Sequence, residues 1–359
     1  MDKIVLADYI GHCDNNGKPM GHPIKVINEN CRLLEPVFGV RIAVPRTHVY
    51  SIKEKEIEVI KLKYNICAFS TQKFLNFIKK WKNLNDIFKN QENDIIWFIN
   101  VDFSLFLYLY LKKEKRVWIN LCYNPLKNVS GWRRKVIRSV LENIEKVVLT
   151  NKNFLKEIPG NKIYIPDYYY NAELYDKFQK TKKKKQVVCL GTMGKEKELE
   201  KLVLAMKKSE IPLIICGNFK HDEGRYQNLQ KLSEGRNLLE NKFVTDDEYY
   251  DLIANSKYVV LPYDMKLYNE RTSGILLEAV FLHSVPVAPR ELLKYNGIEG
   301  IGYQKIEEIP LLLEDEKKEL EIVKNNDELL ESVFSVVSMR EKLMSKRNEN
   351  KEGRKSEKA

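Results

Sequence analysis

The chain has 359 residues, with 61 Lys+Arg against 50 Asp+Glu and a formal net charge of +11. That length suggests two domains and enough apolar surface for a core that needs no disulfide or metal support. With 43% hydrophobic and 31% charged residues, the composition excludes a largely disordered chain, a collagen and a multi-span membrane protein.

The charge is unevenly placed. Residues 1–171 carry 28 basic and 17 acidic residues, whereas residues 172–359 carry 33 of each. A basic first half suits an anionic partner: a phosphorylated ligand, an anionic membrane surface or a nucleic acid. No nucleic-acid module or aromatic stacking platform is present, so nucleic acid is set aside.

In chain order, residues 4–8 form a short apolar run that opens into a Gly/Asn-rich loop, 11–21. Helix-like sequence follows over 23–34, with Pro23 in the first turn. Residues 40–44 are β-branched, and 71–89 have helical periodicity. The most apolar stretch, 95–111, is interrupted by Asn100, Asp102 and Ser104, and a membrane span needs about 20 largely apolar residues. It reads as a strand, 95–101, and a helix, 103–112. A strand at 117–122, a basic amphipathic helix at 132–145 and a strand at 147–150 complete the first series.

Near Asp167 the pattern breaks into a linker, with Tyr168 to Asn171 and a polar stretch, 176–185. Lys182 to Lys185 reads as a solvated basic loop. A second series begins with strand 186–190, loop 191–195, helix 196–208 and strand 212–216. Helix 246–254, strand 258–261, helix 274–282 and strand 285–288 follow. Short strands alternating with longer helices predict parallel sheets covered by helices. The expected division is 1–171, 172–341 and a charged, disordered tail over 342–359. Two similar α/β halves would face each other across a cleft, at the carboxyl ends of their sheets.

The cysteines, Cys13, Cys31, Cys67, Cys122, Cys189 and Cys216, contain no C-x-x-C pair. They read as buried thiols in a reducing compartment. No Cys/His cluster has zinc spacing, so no metal is expected. The apolar run at the start is too short for a signal peptide. The expected location is the cytoplasm, with peripheral contact to the inner face of the cell membrane.

The densest chemical segment runs from Tyr268 to Ala279. Thr272, Ser273 and Gly274 suit a helix N-terminus, where backbone amides favour an anion such as a phosphate. Gly274 lets a ligand approach the backbone, and Arg271 can fork onto a diphosphate. Glu270 and Glu278 can accept hydrogen bonds from ligand hydroxyls. A second segment, Gly191 and Thr192 to Lys197, leaves a strand through a glycine turn, with Lys197 one turn into the next helix.

These two segments resemble the nucleotide-sugar-binding domain of glycosyltransferases with the GT-B fold, especially the large retaining family with two glutamates in an E-x(7)-E arrangement. Glu270 and Glu278 have that spacing. Gly191, Lys197 and Ala205 recur at the family's intervals, Gly217 matches the glycine ending its second strand, and Ser284 to Val287 resembles its closing G-x-P-V segment. Thr192 stands where the family has arginine. The resemblance is close over about residues 186–300. It implies an α/β chain of two Rossmann-like domains and transfer of a sugar from a nucleotide-diphosphate donor without a metal or other cofactor. It also implies that Glu278 binds the ribose and that Glu270 contacts the donor sugar. Lys197 and the Ser273 and Gly274 amides would steady the departing diphosphate. A nucleotide-sugar epimerase and a non-catalytic glycan-binding protein are the alternatives.

The first half would hold the acceptor, a lipid-linked cell-surface polysaccharide or oligosaccharide. Its loop offers Gly17 and Gly21 for close approach, with His12 and His22 as polar contacts or bases. Asp102, just past a strand end, is a further candidate base or else a helix cap. Trp132, Arg133 and Arg134 on one helix, and Trp81 among Lys79, Lys80 and Lys82, form aromatic–basic patches suited to anionic lipid headgroups.

Overall fold

The computed structural model describes residues 2–14, 17, 19, 23–54, 56–68, 70–89, 94–180, 182–219, 222–235, 237–242, 244–268 and 270–345. The chain divides into two compact units, Met1–Asp167 joined by the segment from Met339, and Tyr168–Ser338.

In the first unit a seven-stranded sheet carries Lys3–Ala7 inside it. Gly39–Pro45 and then Glu58–Leu62 lie on one side; Ile95–Phe98, Val117–Leu121, Lys146–Leu149 and Lys162–Tyr164 follow on the other. All pairings are parallel. Parallel neighbours need long crossovers. The helices Pro23–Leu34, Lys73–Lys89, Phe103–Lys112 and Gly131–Asn143 supply four of them, and the 3₁₀ turns Arg46–Ser51 and Lys152–Lys156 lie in the links to Glu58–Leu62 and Lys162–Tyr164.

The second unit repeats the plan with six parallel strands. Their order is Leu238–Asn241, Leu213–Asn218, Lys184–Thr192, Ser256–Val260, Val285–Pro289 and Ile301–Tyr303. Within Lys184–Thr192 the four residues 187–190 form an unbroken apolar run. Val188 and Leu190 enter one core and Val187 and Cys189 enter the other, so both faces of the sheet are buried. In each unit the strand order reverses beside the first strand, the point where open α/β sheets bind ligands.

Several expectations are corrected. The boundary falls at Asp167, because Tyr168 and Tyr175 are buried in the second core and Tyr170 donates its amide to Phe334. The expected linker is therefore part of a domain. Lys183 is no solvated loop residue: its ammonium donates to Ala254 (2.7 Å) and Ser284 (3.1 Å), and burial pushes it down to about 8. Lys342 to Met344, expected in a disordered tail, end the helix Val336–Met344, whose Leu343 is buried. Arg340 ties that helix to the Leu33 carbonyl, which is why the segment rejoins the first unit. The rest of the tail, 346–359, lies outside the described residues. Cys122 is exposed and Cys67 half-buried, so only four of the six thiols are buried as expected.

Candidate functional site

The site is built on the second unit, at the carboxyl ends of Lys184–Thr192 and Ser256–Val260. Gly191 leaves the first of these at φ +94, a region that favours glycine. A Cβ there would lie 3.0 Å from Cδ1 of Ile275 and 3.7 Å from Nζ of Lys197. Gly191, Lys197 and the start of the helix Gly274–Phe281 are thus brought together, as the sequence suggests.

Lys197 reaches this position differently from the expectation. The helix begins only at Leu199, so Lys197 is not one turn inside it. Instead, the turn before the helix is bound to the neighbouring strand end. Glu198 donates its amide to Pro262, Asp264 donates to Glu196, and Lys197 bridges Tyr263. The Lys197 side chain is 1% exposed. Its ammonium donates to the Leu190 carbonyl at 2.6 Å and stands 5.6 Å from the Tyr263 ring centroid. Burial pushes it down from the usual lysine range, while Cys189 and Glu196 pull it back up. Among the described residues no carboxylate pairs with it.

The turn carrying Lys197 is clamped by Arg225. Its guanidinium donates to the carbonyls of Gly194 (2.7 Å), Met193 (3.3 Å) and Lys197 (2.6 Å), and pairs with Glu200 at 2.7 Å. The hydrogen bond from Arg225 is the main reason the Glu200 carboxyl lies below its usual range.

On the other side Tyr263 stacks on Tyr268 with centroids 3.8 Å apart, and the Tyr268 hydroxyl donates to the Thr272 carbonyl. Arg271 is exposed and lies 5.8 Å from the Tyr268 ring centroid. Thr192 is exposed at the strand end. Glu270 takes φ +59, an uncommon conformation for a side-chain-bearing residue.

The helix end differs from expectation in two respects. The Ser273 amide already donates to Asn296 Oδ1 at 3.0 Å, so it is not an anion donor in this state. The donors this end can offer an anion are then the next amides, those of Gly274 and Ile275. The close approach that Gly274 permits is to the Tyr168 ring, 2.1 Å from where a Cβ would be. Glu278, one turn on, is 2% exposed and accepts a hydrogen bond from the Tyr249 hydroxyl. The Tyr250 hydroxyl lies 3.4 Å from its other oxygen. Tyr168, Tyr249, Tyr250, Arg225 and Asn296 escape a local reading, because each arrives from a distant element. The Thr245–Glu248 capping box, visible as T-x-x-E, could have located the tyrosine-bearing helix.

In the first unit, Asp102 serves as a helix cap. It accepts from the Ser104 amide (2.9 Å) and the Tyr9 hydroxyl (2.7 Å) and pairs with Lys80 (2.5 Å). Burial pushes its carboxyl up, but Lys80 and these hydrogen bonds outweigh that, and it lies below the usual range. A depressed, committed carboxylate is a poor base, so the base expectation gives way to the cap. His12 lies in the strand His12–Cys13, with its carbonyl 3.2 Å from Nε2 of His48. Its Nδ1 is buried and has no partner among the described residues. Gly17 takes φ +80 with open space around it. Gly21 and His22 lie outside the described residues.

Trp132 is 57% exposed, and Arg133 lies over the rings of Phe103 (5.1 Å) and Trp132 (5.7 Å). Arg134 instead folds back onto the Leu126 carbonyl at 2.7 Å. Trp81 is half-buried and packs against Tyr108 and Phe77. The exposed aromatic on its helix is Phe74, at 78%.

The fold is that of the GT-B glycosyltransferases. A glycosyltransferase from Rickettsia africae is similar at TM-score 0.66 and 14% identity, over 95% of this chain and 97% of that one. An α,α-trehalose-phosphate synthase (UDP-forming) from Burkholderia xenovorans is similar at TM-score 0.65 and 11% identity, over 96% and 99%. AviGT4, a glycosyltransferase of avilamycin A biosynthesis, is similar at TM-score 0.60 and 11% identity, over 96% of each chain. Residues 171–288, which include the site, match the family model described as "Glycosyl transferases group 1". No curated protein matches the sequence. The family match supports sugar transfer and implies a nucleotide-sugar donor and an acceptor. Among the described residues no helix is long and apolar enough to cross a membrane, and no group of three or more His, Cys, Asp or Glu could hold a metal.

The clamp generates a test. Arg225→Ala removes three carbonyl contacts and an ion pair and should lower stability by about 2 kcal/mol or more. Hydrogen exchange should rise selectively over residues 193–197. Unchanged exchange there would mean that Arg225 does not hold the turn.

Proposed function

We propose that the second unit binds a nucleotide-diphosphate sugar and transfers the sugar, with retention of configuration, to a lipid-linked cell-surface polysaccharide or oligosaccharide held by the basic first unit. The observation that carries the reading is Lys197, a buried ammonium with no carboxylate partner among the described residues, beside a left-handed glycine and a helix N-terminus. Breaking the anomeric bond develops negative charge on the departing diphosphate, and fixed donors in a water-poor site stabilise that charge. Lys197, with the Gly274 and Ile275 amides, takes that role, and Arg271 and Thr192 flank it. This local charge removes the need for a metal. Glu278 accepts from the ribose and Glu270 from the donor sugar. His12 and the Gly17 loop face the acceptor.

The direct test is release of nucleoside diphosphate from a panel of nucleotide-sugars. Release should require a lipid-linked acceptor, and Glu278→Ala should abolish the thermal shift that the donor nucleotide gives the parent protein. Conversion of a nucleotide-sugar without any acceptor would replace this reading by epimerisation. The absence of any nucleotide-dependent shift in the parent would indicate a non-catalytic glycan-binding protein.

An exposed Trp132 with Arg133 above it, and Phe74 on a second helix, support peripheral contact with an anionic membrane on its cytoplasmic side. Sedimentation with anionic vesicles should fall as salt rises, because each basic group near the surface contributes about 1 kcal/mol of screened attraction. Replacing Trp132 and Arg133 together by Ser and Gln should reduce it further. Salt-independent binding, or none, contradicts the membrane reading.

A further inference from the structure

Glu278 is not an open carboxylate. It is 2% exposed, the Tyr249 hydroxyl donates to Oε2, and the Tyr250 hydroxyl lies 3.4 Å from Oε1. Burial, then the charge of Glu278, pushes the Tyr249 hydroxyl well above its usual range, so it remains a proton donor at any physiological pH.

The two tyrosines are neighbours on the helix Asp246–Asn255 but are held differently. Tyr250 is core: it is 5% exposed and packs against Tyr175 and Phe178, with centroids 5.5 and 5.4 Å away. Tyr249 is half-buried: its ring packs on the edge of the core and stands 5.3 Å from that of Tyr250. It sits in the first turn of its helix, directly after a capping box that fixes the backbone but not the ring. Moving its hydroxyl away from Glu278 therefore disrupts less packing than moving Tyr250, which lies within the core, would.

We propose that Tyr249 is a gate on the donor site, its hydroxyl standing where a ribose hydroxyl of the nucleotide goes and being exchanged for it on binding. This rests on the donor-site reading above. Glu278 has acceptor sites to spare, but at 2% exposure a ligand hydroxyl reaches it only when a group covering it moves aside. Tyr249 is the resident that can leave. The exchange swaps one O–H donor for another, so the buried charge is never left without a donor. While the gate is closed, apparent affinity is reduced by the fraction of molecules in the open state.

Removing the hydroxyl while keeping the ring should thus favour the nucleotide. UDP, GDP and ADP are titrated calorimetrically into the full chain, and the tightest is compared with its 2′,3′-dideoxy counterpart. Tyr249→Phe should tighten the ribonucleotide about three- to tenfold, the net worth of an ordinary hydrogen bond. It should leave the dideoxynucleotide unchanged. Tyr250→Phe serves as the comparison and should give no such selective gain. Equal or weaker ribonucleotide binding in Tyr249→Phe, or an equal change for both nucleotides, overturns the gate. Glu278→Ala separates the two failures. If it loses ribonucleotide binding while Tyr249→Phe gains nothing, only the gate is wrong. If it binds both nucleotides like the parent, the donor site is misplaced and the gate falls with it.

Discussion

The second unit is organised around a buried positive charge. The Lys197 ammonium has left water for a site where it meets one carbonyl and the face of one aromatic ring. Burying an ion without an opposite charge costs several kcal/mol, which folding alone gives no reason to retain. Such a violation of local rules belongs at functional sites. What surrounds it can be read as the means of keeping it in place. Arg225 clamps the turn, Pro262 and Asp264 bind it to the adjacent strand, and Gly191 leaves room above the ammonium.

This changes the meaning of the net charge of +11. The excess lies in the first unit's sequence, whereas residues 172–338 carry 25 basic against 29 acidic residues. In the proposed reading, attraction of the donor's diphosphate rests on one lysine and a helix end. A local group whose surroundings are fixed before the anion arrives is more effective than a broad field of solvated lysines, which salt screens within about 10 Å. The proposed reading gives the basic sequence of the first unit a different task, an acceptor carried on an anionic membrane.

Much of the fold was legible in the sequence. Apolar β-branched runs alternating with amphipathic helices led to two parallel sheets, and helices such as Pro23–Leu34 and Phe103–Lys112 fall where the periodicity put them. The misreadings share a cause. Tyr168 and Tyr175 look like linker residues because the core they fill is supplied by remote elements. Lys183 looks solvated because its acceptors, Ala254 and Ser284, lie far along the chain. The serine in place of the family's glycine also finds its reason in space. Its hydroxyl lies within hydrogen-bond distance of the Ile253 and Ser256 carbonyls. At the site, the residue types were visible but their commitments were not. Asp102 and the Ser273 amide prove to be engaged already, by Lys80 and Asn296.

The central claim is that Lys197 is kept buried to meet a diphosphate. Lys197→Met keeps the length and apolar stem of the side chain and removes its charge. Calorimetry should show nucleoside diphosphate binding weakened about tenfold or more, the worth of a charge-assisted contact. Binding of the uncharged nucleoside should be unchanged, and the melting temperature should stay level or rise, because an apolar replacement relieves the buried charge. Equal affinities of parent and variant for the diphosphate, or equal losses for nucleoside and diphosphate, would contradict the account.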